Sequence, residues 1–321
     1  MKWHTGMQKK RKMLIRRKGS MIGIVDIGSN TIRLSCYEIQ PDNKFSCVIH
    51  KKEVAGLAGY IDEKGNMTEE GIERTIKAIE TFKGVIEHIE LESIHFFATA
   101  AIRNTINCEK IVSRIQLKTG YVVHVLSGEE EAVCDFVGVC GDNNVQNGMV
   151  VDIGGGSTEI VSFENRMMVH GVSLSVGSLN TYKEYVKNVV PTKTELSQIR
   201  KNIKGVLVTE RKNVNKAEVA YGVGGSIRAI LKLYNEEYKM DDSNRDMKSG
   251  KLKKLLELYG DNKNYLIDRI IKTAPDRLHT IIPGLTILCT VVKYYNLNTV
   301  HVSRYGVREG YLMRYVLNKK D

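Results

Sequence analysis

The sequence predicts an α/β fold made of two related lobes, and three observations support this prediction. A short glycine-bearing segment occurs at 24–34 and again at 150–160, and the copies align without gaps so that Asp26 matches Asp152. In each copy an apolar strand enters a turn of small and hydroxyl residues and returns as a second strand. Around the copies, strand patterns alternate with helix patterns. With 321 residues, the chain is long enough for about two domains.

The first lobe is predicted over residues 21–141, and its clearest element is a helix at 68–90. Thr68 can cap this helix, and isoleucines recur along it at three- and four-residue steps, which indicates one apolar face. The other predicted elements of this lobe are strands at 36–39, 45–50, 94–97 and 121–126, and helices at 108–118 and around 132–136.

The second lobe is predicted over residues 142–321, beginning at a polar turn at 141–144. The segment at 236–250 is rich in Lys, Asp, Ser and Asn, which predicts a surface loop. The segment at 284–295 is apolar and predicts a buried helix. The last helix is expected to pack back on the first lobe. The other predicted elements are helices near 178–188 and 194–207, a strand entering a glycine turn at 219–226, and a late strand at 300–302.

The net charge of +11 lies mostly at the N-terminus. Residues 1–20 contain eight Lys and Arg and no acid, so subtracting these eight charges leaves +3 for the rest of the chain. A basic arm can contact nucleic acid or another polyanion non-specifically. We interpret it as a disordered extension, with Met21 as an alternative start, and expect no specific nucleic-acid partner.

No apolar run approaches the roughly 20 residues that a membrane span needs, so we expect no membrane association. The six cysteines form no Cys-x-x-Cys pair and no zinc-like spacing. Such cysteines suit a reducing compartment, and we expect a cytoplasmic protein.

The two glycine-bearing turns have the composition of a phosphate-binding site. Backbone N–H groups in such turns can surround an anion, and hydroxyl and amide side chains supply further donors. For one turn alone a purely structural hairpin is the better explanation, whereas two turns in register favour a phosphate chain held between the lobes. The predicted phosphate-binding residues of the turns are Gly28, Ser29, Asn30, Thr31, Gly154, Gly155, Gly156, Ser157 and Thr158.

Three acidic residues lie where a cation can neutralise that phosphate. Asp152 ends its strand beside the second turn, Glu159 lies on the returning strand, and Asp26 holds the matching place in the first copy. Magnesium prefers one or two carboxylates together with phosphate oxygens and water. The sequence therefore predicts Mg²⁺ or another divalent cation at these residues.

Glu129, Glu130 and Glu131 stand where a predicted strand gives way to a helix. Acids in a first helical turn oppose the helix dipole favourably, which accounts for at least two of the three. A hydrolase of phosphoanhydrides also needs a base to align and deprotonate water, and a glutamate at the edge of a cleft suits this role. The spacing alone leaves open which glutamate it is.

Three arginines are candidates for bidentate phosphate contacts: Arg33, Arg103 and Arg277. Arg103 follows a small-residue turn and is added to the predicted phosphate-binding residues. For any one of these arginines, a surface position is as plausible as a place in the site.

An ordered set of motifs runs from about Met21 to the C-terminus. The motifs are VDIGSNT at 25–31, ATAAIR at 98–103, SGEEEA at 127–132, DIGGGSTE at 152–159, SVGS at 175–178, GVGG at 222–225, Arg277 with Pro283-Gly284, and GVREG at 306–310. This set resembles the exopolyphosphatase and guanosine pentaphosphate phosphatase (Ppx/GppA) family. The resemblance implies two actin-like, ribonuclease H-like lobes with the active site in the cleft between them. It also implies hydrolysis of a terminal phosphoanhydride with a divalent metal.

The resemblance also assigns roles to individual residues. It selects Glu131 as the catalytic glutamate and Asp152 and Glu159 as the metal-associated acids. Arg33 and Arg277 match positions that some relatives use for guanosine nucleotides. The resemblance implies a homodimer, and it predicts the short form that lacks the additional C-terminal helical domain of long members.

The leading functional prediction is an exopolyphosphatase that releases orthophosphate from the end of polyphosphate. The alternative is removal of the terminal phosphate of guanosine pentaphosphate (pppGpp), which uses the same machinery. A sugar or acid kinase of the same superfamily and a non-catalytic polyanion-binding protein are less favoured.

Overall fold

The computed structural model of the protein describes residues 20–142, 145–210 and 217–318. Two mixed β-sheets form its framework, and each contains one copy of the glycine-bearing segment. This architecture confirms the predicted α/β fold. The extension predicted at 1–20 lies, apart from Ser20, outside the described residues, as does the middle of the polar turn predicted at 141–144.

The first part of the chain forms a five-stranded sheet with its helices. In chain order the elements are β1 (Ser20–Ile27), β2 (Thr31–Ile39), β3 (Phe45–Val54), α1 (Glu69–Ile86), β4 (Ser93–Ala98), α2 (Ala100–Arg103), α3 (Cys108–Thr119), β5 (Val123–Val125) and α4 (Gly128–Asp142).

The sheet order β3-β2-β1-β4-β5 places β1 beside β4, and β4 beside β5, all parallel. β1 and β2 form an antiparallel hairpin in which Ile27 pairs with Ile32 across the first glycine turn (residues 28–31). The carboxyl ends of parallel strands meet at one edge of a sheet, where ligands bind in open α/β folds. The first glycine turn, α2 and the start of α4 therefore lie at the same edge.

The remaining described chain forms a six-stranded sheet with its helices. The elements are β6 (Gly148–Ile153), β7 (Thr158–Glu164), β8 (Met167–Leu174), α5 (Ser178–Tyr185), α6 (Lys193–Thr209), β9 (Val219–Val223), α7 (Gly224–Tyr238), β10 (Asp246–Lys248), α8 (Ser249–Asp261), α9 (Lys263–Thr273), α10 (Ile281–Tyr294), β11 (Thr299–Val302) and α11 (Val307–Tyr311).

The second sheet repeats the arrangement of the first around its own glycine turn (residues 154–158). Its order is β10-β11-β9-β6-β7-β8, with β6 antiparallel to β7 and parallel to β9. In the β6–β7 hairpin, Ile153 pairs with Thr158 as Ile27 pairs with Ile32 in the first copy. β9 passes directly into α7, so the amino end of α7 reaches the same edge as the second glycine turn.

α4 lies between the two sheets. Its Ala132 packs in a buried cluster with Val150 and Val161 of the second sheet, and its Cys134 packs in a cluster with Ile24 of the first sheet. The first-sheet cluster also contains Tyr311 and Leu312, so the C-terminal segment packs on the first sheet. A Cβ on Gly310 would collide with the backbone carbonyl of Cys134, which shows how closely α11 approaches α4.

Most predicted elements are confirmed, with differences at their ends. Thr68 caps α1 by accepting a hydrogen bond from Gly71 N, and α1 ends at Ile86 rather than at 90. The surface loop predicted at 236–250 is wrong in part, because α7 continues to Tyr238 and β10 pairs with β11 within this segment. Its polar composition reflects an exposed helix end and a short edge strand in which only Met247 is buried.

In the part of the chain that the structure describes, no helix is both long and apolar enough to cross a membrane.

Candidate active site

The two glycine turns face each other across a cleft between the sheets. Each turn is closed by the same backbone hydrogen bond, from Gly28 N to Thr31 O at 3.2 Å and from Gly154 N to Ser157 O at 3.0 Å. A Cβ on Gly156 would lie 2.9 Å from the Oγ of Ser29, so the second turn touches the first. The close approach leaves a cavity of about 90 Å³ that both turns line.

Most of the predicted site residues line this cavity. The predicted residues among its walls are Asp26, Gly28, Ser29, Asn30, Thr31, Arg33, Glu131, Asp152, Gly154, Gly155, Gly156, Ser157 and Arg277. Thr158, Glu159 and Arg103 lie behind the walls. The Thr158 hydroxyl donates to Val176 O at 2.5 Å, so the structure gives this side chain a partner within the second sheet.

The structure distinguishes the three glutamates at the start of α4. Glu129 is exposed, and Glu130 caps the helix by accepting from Ser127 N at 2.9 Å and from the Tyr315 hydroxyl at 3.0 Å. Glu131 is 7% exposed and lines the cavity. Burial raises the pKa of Glu131 to about 7, against the opposing effect of Arg103. A carboxylate with a pKa near neutral is suited to accept a proton from water.

Arg103 holds carboxylates in this structure. Its Nη1 donates to Oε2 of Glu131 at 2.5 Å and to Leu126 O at 3.1 Å, and its Nη2 lies 3.9 Å from Oε1 of Glu159. The guanidinium thus orients Glu131 from behind the cavity wall.

Glu131 belongs to a group of four buried carboxyl groups, here called the acid cluster: Glu131, Asp135, Asp152 and Glu159. The last three are 0%, 7% and 1% exposed. Burial raises the pKa of each of them, to about 6 for Asp152. Oδ1 of Asp152, Oε2 of Glu159 and both oxygens of Asp135 are buried and receive no hydrogen bond from an N–H group or a hydroxyl side chain, while the carboxyl groups of Asp135 and Asp152 contact each other. Sequence reasoning missed Asp135, although a lone acid among the apolar residues of α4, one turn after Glu131, was a visible signal.

A divalent cation fits the orphaned oxygens of the acid cluster. Asp152 and Glu159 offer carboxylate oxygens without donors beside the second glycine turn, and hard cations prefer such ligands. Within residues 20–142, 145–210 and 217–318, no group of three or more His, Cys, Asp or Glu side chains is arranged to hold a metal. Asp152 and Glu159 supply two carboxylates, and Mg²⁺ typically combines one or two carboxylates with phosphate oxygens and water.

Four arginines also line the cavity, here called the arginine cluster: Arg33, Arg228, Arg277 and Arg308; of these, Arg228 interacts most strongly with the charge of Asp152. Burial and mutual repulsion lower the pKa of Arg33, to about 10, and those of Arg228 and Arg277.

Arg33 and Arg277, predicted as a pair from the resemblance, come together from the two sheets. A Cβ on Gly225 would lie 2.5 Å from Nη2 of Arg277 and 3.2 Å from Nη2 of Arg33. Sequence reasoning missed Arg228 and Arg308 as site residues. Arg308 lies within the GVREG motif, and Arg228 lies one turn into the helix that follows a glycine-bearing strand end. Both positions could therefore have been predicted as site residues from the sequence.

Asp26 faces the arginine cluster. Its Oδ2 lies 3.8 Å from Nη1 of Arg33 and 4.0 Å from Nε of Arg308. Burial raises the pKa of Asp26, and Arg33 opposes this effect. The structure therefore brings this predicted metal ligand next to cationic side chains.

Several contacts surround the arginine cluster. The Tyr37 hydroxyl donates to Oε1 of Glu309 at 2.5 Å, and Arg308 donates to the Ser35 hydroxyl at 2.8 Å. At the rim, Nζ of Lys52 pairs with Oδ2 of Asp276 at 3.1 Å. These contacts hold the arginine cluster against the first glycine turn.

The two actin-like sheets enclose a cleft that is lined by two glycine turns, by buried carboxyl groups and by four arginines. These features are typical of a phosphatase. The chain belongs to the Ppx/GppA phosphatase family, whose model matches residues 36–319. Among solved structures, the Aquifex aeolicus member of the Ppx/GppA family is 26% identical, with a TM-score of 0.76 over 94% of this chain and 99% of that one.

The chain is also similar to three curated proteins. A bifunctional 3-dehydroquinate synthase/phosphatase of Fusobacterium nucleatum is 29% identical over 92% of this chain, which spans 46% of that relative's length. Exopolyphosphatase 1 of Mycobacterium tuberculosis is 23% identical over 94% of this chain and 89% of its own. A guanosine-5'-triphosphate,3'-diphosphate pyrophosphatase of Pseudoalteromonas atlantica is 32% identical over 50% of this chain and 32% of its own.

Proposed function

We propose that this protein is an exopolyphosphatase, which hydrolyses the terminal phosphoanhydride of inorganic polyphosphate and releases orthophosphate. The observation that carries the proposal is the position of Glu131, a buried glutamate on the wall of the cavity that both glycine turns line. A cavity of about 90 Å³ suits the end of a phosphate chain. The similarity to a relative named exopolyphosphatase 1 supports the same substrate.

In the proposed mechanism the glycine turns bind the terminal phosphate. Backbone N–H groups of residues 29–31 and 155–157 and the hydroxyls of Ser29, Thr31 and Ser157 donate to its oxygens. The arginine cluster neutralises the phosphates that follow in the chain and holds them in one direction. This positioning lowers the barrier, because phosphoryl transfer depends mainly on alignment and charge stabilisation.

Glu131 acts as the general base. Its carboxylate orients a water molecule and accepts a proton as the water oxygen bonds to the terminal phosphorus. The bridging P–O bond breaks, and the shortened chain leaves with the bridging oxygen. Arg103 keeps the Glu131 carboxylate in its orientation through the hydrogen bond of 2.5 Å.

Asp152 and Glu159 would hold the divalent cation, Mg²⁺ or another, with Asp152 closer to the cavity. When bound, such a cation supplies positive charge that stabilises the negative charge of the phosphoryl oxygens. Asp26 lies against two arginines, so in this proposal it pairs with them and is not a ligand of the cation.

The second candidate function is hydrolysis of the terminal phosphate of pppGpp. The convergence of Arg33 and Arg277 beside Gly225 favours it, because two guanidiniums at this place can bind the phosphates of a nucleotide. The similarity of half of the chain to a relative that is named for a guanosine nucleotide also supports it.

Side-by-side release of orthophosphate tests both candidates. The protein is incubated with Mg²⁺ and short polyphosphate, long polyphosphate or pppGpp at equal concentrations of chain ends. A preference for either polyphosphate supports the exopolyphosphatase, and a preference for the nucleotide moves the function to the second candidate. Absence of release from all three contradicts both proposals.

We also propose a cytoplasmic location and a homodimer. All six cysteines lie within the described residues and are free, which suits a reducing compartment. The homodimer stays a prediction from the resemblance, and sedimentation of the purified protein tests it.

A further inference from the structure

A second cavity adjoins the active-site cavity and shares one wall residue with it. This cavity, here called the α7 groove, has a volume of about 680 Å³ and lies between α7, α9 and residues 239–245. Arg228 lines both cavities. Val302 of the wall ends β11, which runs parallel to β9, so the groove lies at the same edge of the second sheet as the start of α7.

The α7 groove carries more positive than negative charge. Two acids line it, Glu236 and Asp242, and Glu236 is paired with Arg269 at 2.5 Å and with Lys272 at 2.8 Å. The cationic side chains of the wall are Arg228, Lys232, Lys239, Arg245 and Arg269. Within the chain segments that the structure describes, all of these cations except Arg269 are without an ion pair. The groove therefore offers free positive charge to a ligand.

Three of these cations form a row along α7 that leads away from the cleft. Arg228, Lys232 and Lys239 are separated by four and by seven residues, spacings that keep them on one face of a helix. With a rise of 1.5 Å per residue, the row is roughly 16 Å long. It begins at the active-site cavity and ends at the C-terminal end of α7. Such a row suits an extended polyanion with evenly spaced charges.

Arg228 connects the two cavities. Its side chain is half-buried, and burial lowers the pKa of its guanidinium. The charges that act on it are those of Arg308, Asp152, Glu309 and Arg277, yet none of the described residues forms a hydrogen bond or an ion pair with it. A guanidinium that is partly removed from water and lacks an acceptor is suited to a phosphate, which it can bind through two parallel hydrogen bonds.

The amide side chains of the α7 groove already have partners within the protein. Nδ2 of Asn244 donates to Oδ1 of Asn235 at 2.8 Å and to Asp246 O at 3.1 Å. Nδ2 of Asn235 donates to Asn244 O at 3.2 Å. The groups left for a ligand are therefore mainly the cations, which favours a phosphate chain over a nucleoside.

We propose that the α7 groove is a second binding site for polyphosphate, which holds the part of the chain that continues from the active-site cavity. The inference rests on the proposed function, because it takes the glycine turns to bind the terminal phosphate. A cavity of about 90 Å³ encloses only the end of a phosphate chain, so the rest of a long substrate lies outside it. Tripolyphosphate is too short to follow the row of cations, whereas long polyphosphate gains affinity from it.

Lys232→Glu tests the proposal by reversing a charge of the row outside the active-site cavity. Release of orthophosphate is measured with Mg²⁺ from tripolyphosphate and from long polyphosphate at equal concentrations of chain ends. The ratio of kcat/KM for long polyphosphate to kcat/KM for tripolyphosphate should fall about tenfold, since a surface of one sign of charge speeds association by at least that factor. The change should lie in KM rather than in kcat, because the groove binds substrate away from the reacting phosphorus.

Lys254→Glu is the matched control, because it makes the same change of charge at an exposed lysine of α8 that does not line the groove. Its ratio should equal that of the parent. Lys239→Glu, at the far end of the row, should lower the ratio less than Lys232→Glu. All three lysines are exposed, so the Tm of each variant should match that of the parent. Added salt should lower the ratio of the parent toward that of Lys232→Glu, because it screens exposed charges.

An unchanged ratio in both Lys232→Glu and Lys239→Glu overturns the inference. An equal loss on both polyphosphates also overturns it, because it would show general attraction of anions. A larger loss on pppGpp than on long polyphosphate would assign the groove to the nucleotide instead. If the parent releases orthophosphate from polyphosphate and the ratio does not respond, the inference alone fails. If the parent releases none from either polyphosphate, the proposed exopolyphosphatase function fails with it.

Discussion

The two glycine turns share one backbone design but differ in the charged groups that contact their aspartates. In both copies an aspartate ends a buried strand two residues before the first turn glycine, and the same hydrogen bond closes the turn. Asp26 faces Arg33 and Arg308 at 3.8 and 4.0 Å, whereas Asp152 contacts the carboxyl group of Asp135.

The difference comes from residues outside the repeat. Arg308 reaches the first turn from α11 near the C-terminus, and Asp135 reaches the second turn from α4. A repeated strand–turn–strand segment therefore reproduces a backbone twice without reproducing its charge. Asp26 lies beside two arginines, whereas Asp152 lies among carboxyl groups and also interacts with the charge of Arg228, so a polyanion and a cation can meet between the turns.

The largest loss of activity is expected from a change in the acid cluster, because this cluster contains the proposed base, Glu131. Glu131→Gln keeps the shape of the side chain and removes its ability to accept a proton. We expect kcat to fall by about 10³-fold, within the usual range for a general base, with little change in substrate binding.

Glu130→Gln is the matched control for this change. Glu130 lies next in sequence but caps α4 through Ser127 N and faces the Tyr315 hydroxyl. Its variant should retain most of the activity and lose about 1 kcal/mol of unfolding free energy. Near-normal turnover by Glu131→Gln in an orthophosphate assay would contradict the assignment of the base.

Neutralising each aspartate of the repeat tests the comparison directly. Asp152→Asn should lower kcat/KM by roughly 100-fold at fixed Mg²⁺ and raise the Mg²⁺ concentration needed for half-maximal activity. Asp26→Asn should lower kcat/KM by about tenfold and leave the Mg²⁺ concentration needed for half-maximal activity unchanged, since Asp26 pairs with arginines. Mg²⁺ titrations of both variants check this, and equal shifts in the Mg²⁺ requirement would remove the distinction between the turns.

The pH dependence of the reaction should follow the acid side as well. Burial raises the pKa of Glu131 to about 7, and a general base must be deprotonated. As pH falls below about 7, the base becomes protonated, so kcat/KM should fall about tenfold per pH unit. A profile of kcat/KM from pH 5 to pH 9 measures this limb. Constant kcat/KM down to pH 5 would show that no group with such a pKa limits the reaction.

The smallest effect is expected from a change in the arginine cluster, and it concerns the preference between substrates. Arg33→Ala removes one of the two guanidiniums that converge beside Gly225. If pppGpp is a substrate, its kcat/KM should fall severalfold more than that of short polyphosphate.

Lys52→Ala, which removes a rim cation paired with Asp276, is the control for Arg33→Ala and should affect both substrates alike. An equal loss on both substrates in Arg33→Ala would assign Arg33 to general phosphate binding.

Local patterns in the sequence were sufficient to predict most of the helices and strands. The periodic isoleucines and Thr68 predicted α1, and the two apolar segments with small-residue turns predicted both hairpins, because these elements depend on neighbouring residues. The loop predicted at 236–250 is correct only for its middle, between the end of α7 at Tyr238 and the start of β10 at Asp246. Its helix end and edge strand are stabilised by contacts on one side only, so their apolar signal is weak.

The sequence by itself determined the fold class, the repeated phosphate-type turn and the residue types available to the cleft. Tertiary structure decided which charges meet there. It buries Glu131 beside Arg103, directs Glu130 to the helix cap, and places Asp135 against Asp152. The physical reason is the distance along the chain over which each property is determined. Backbone conformation depends mainly on residues that are close in sequence, whereas the pKa and the partners of a carboxylate depend on every element packed around it.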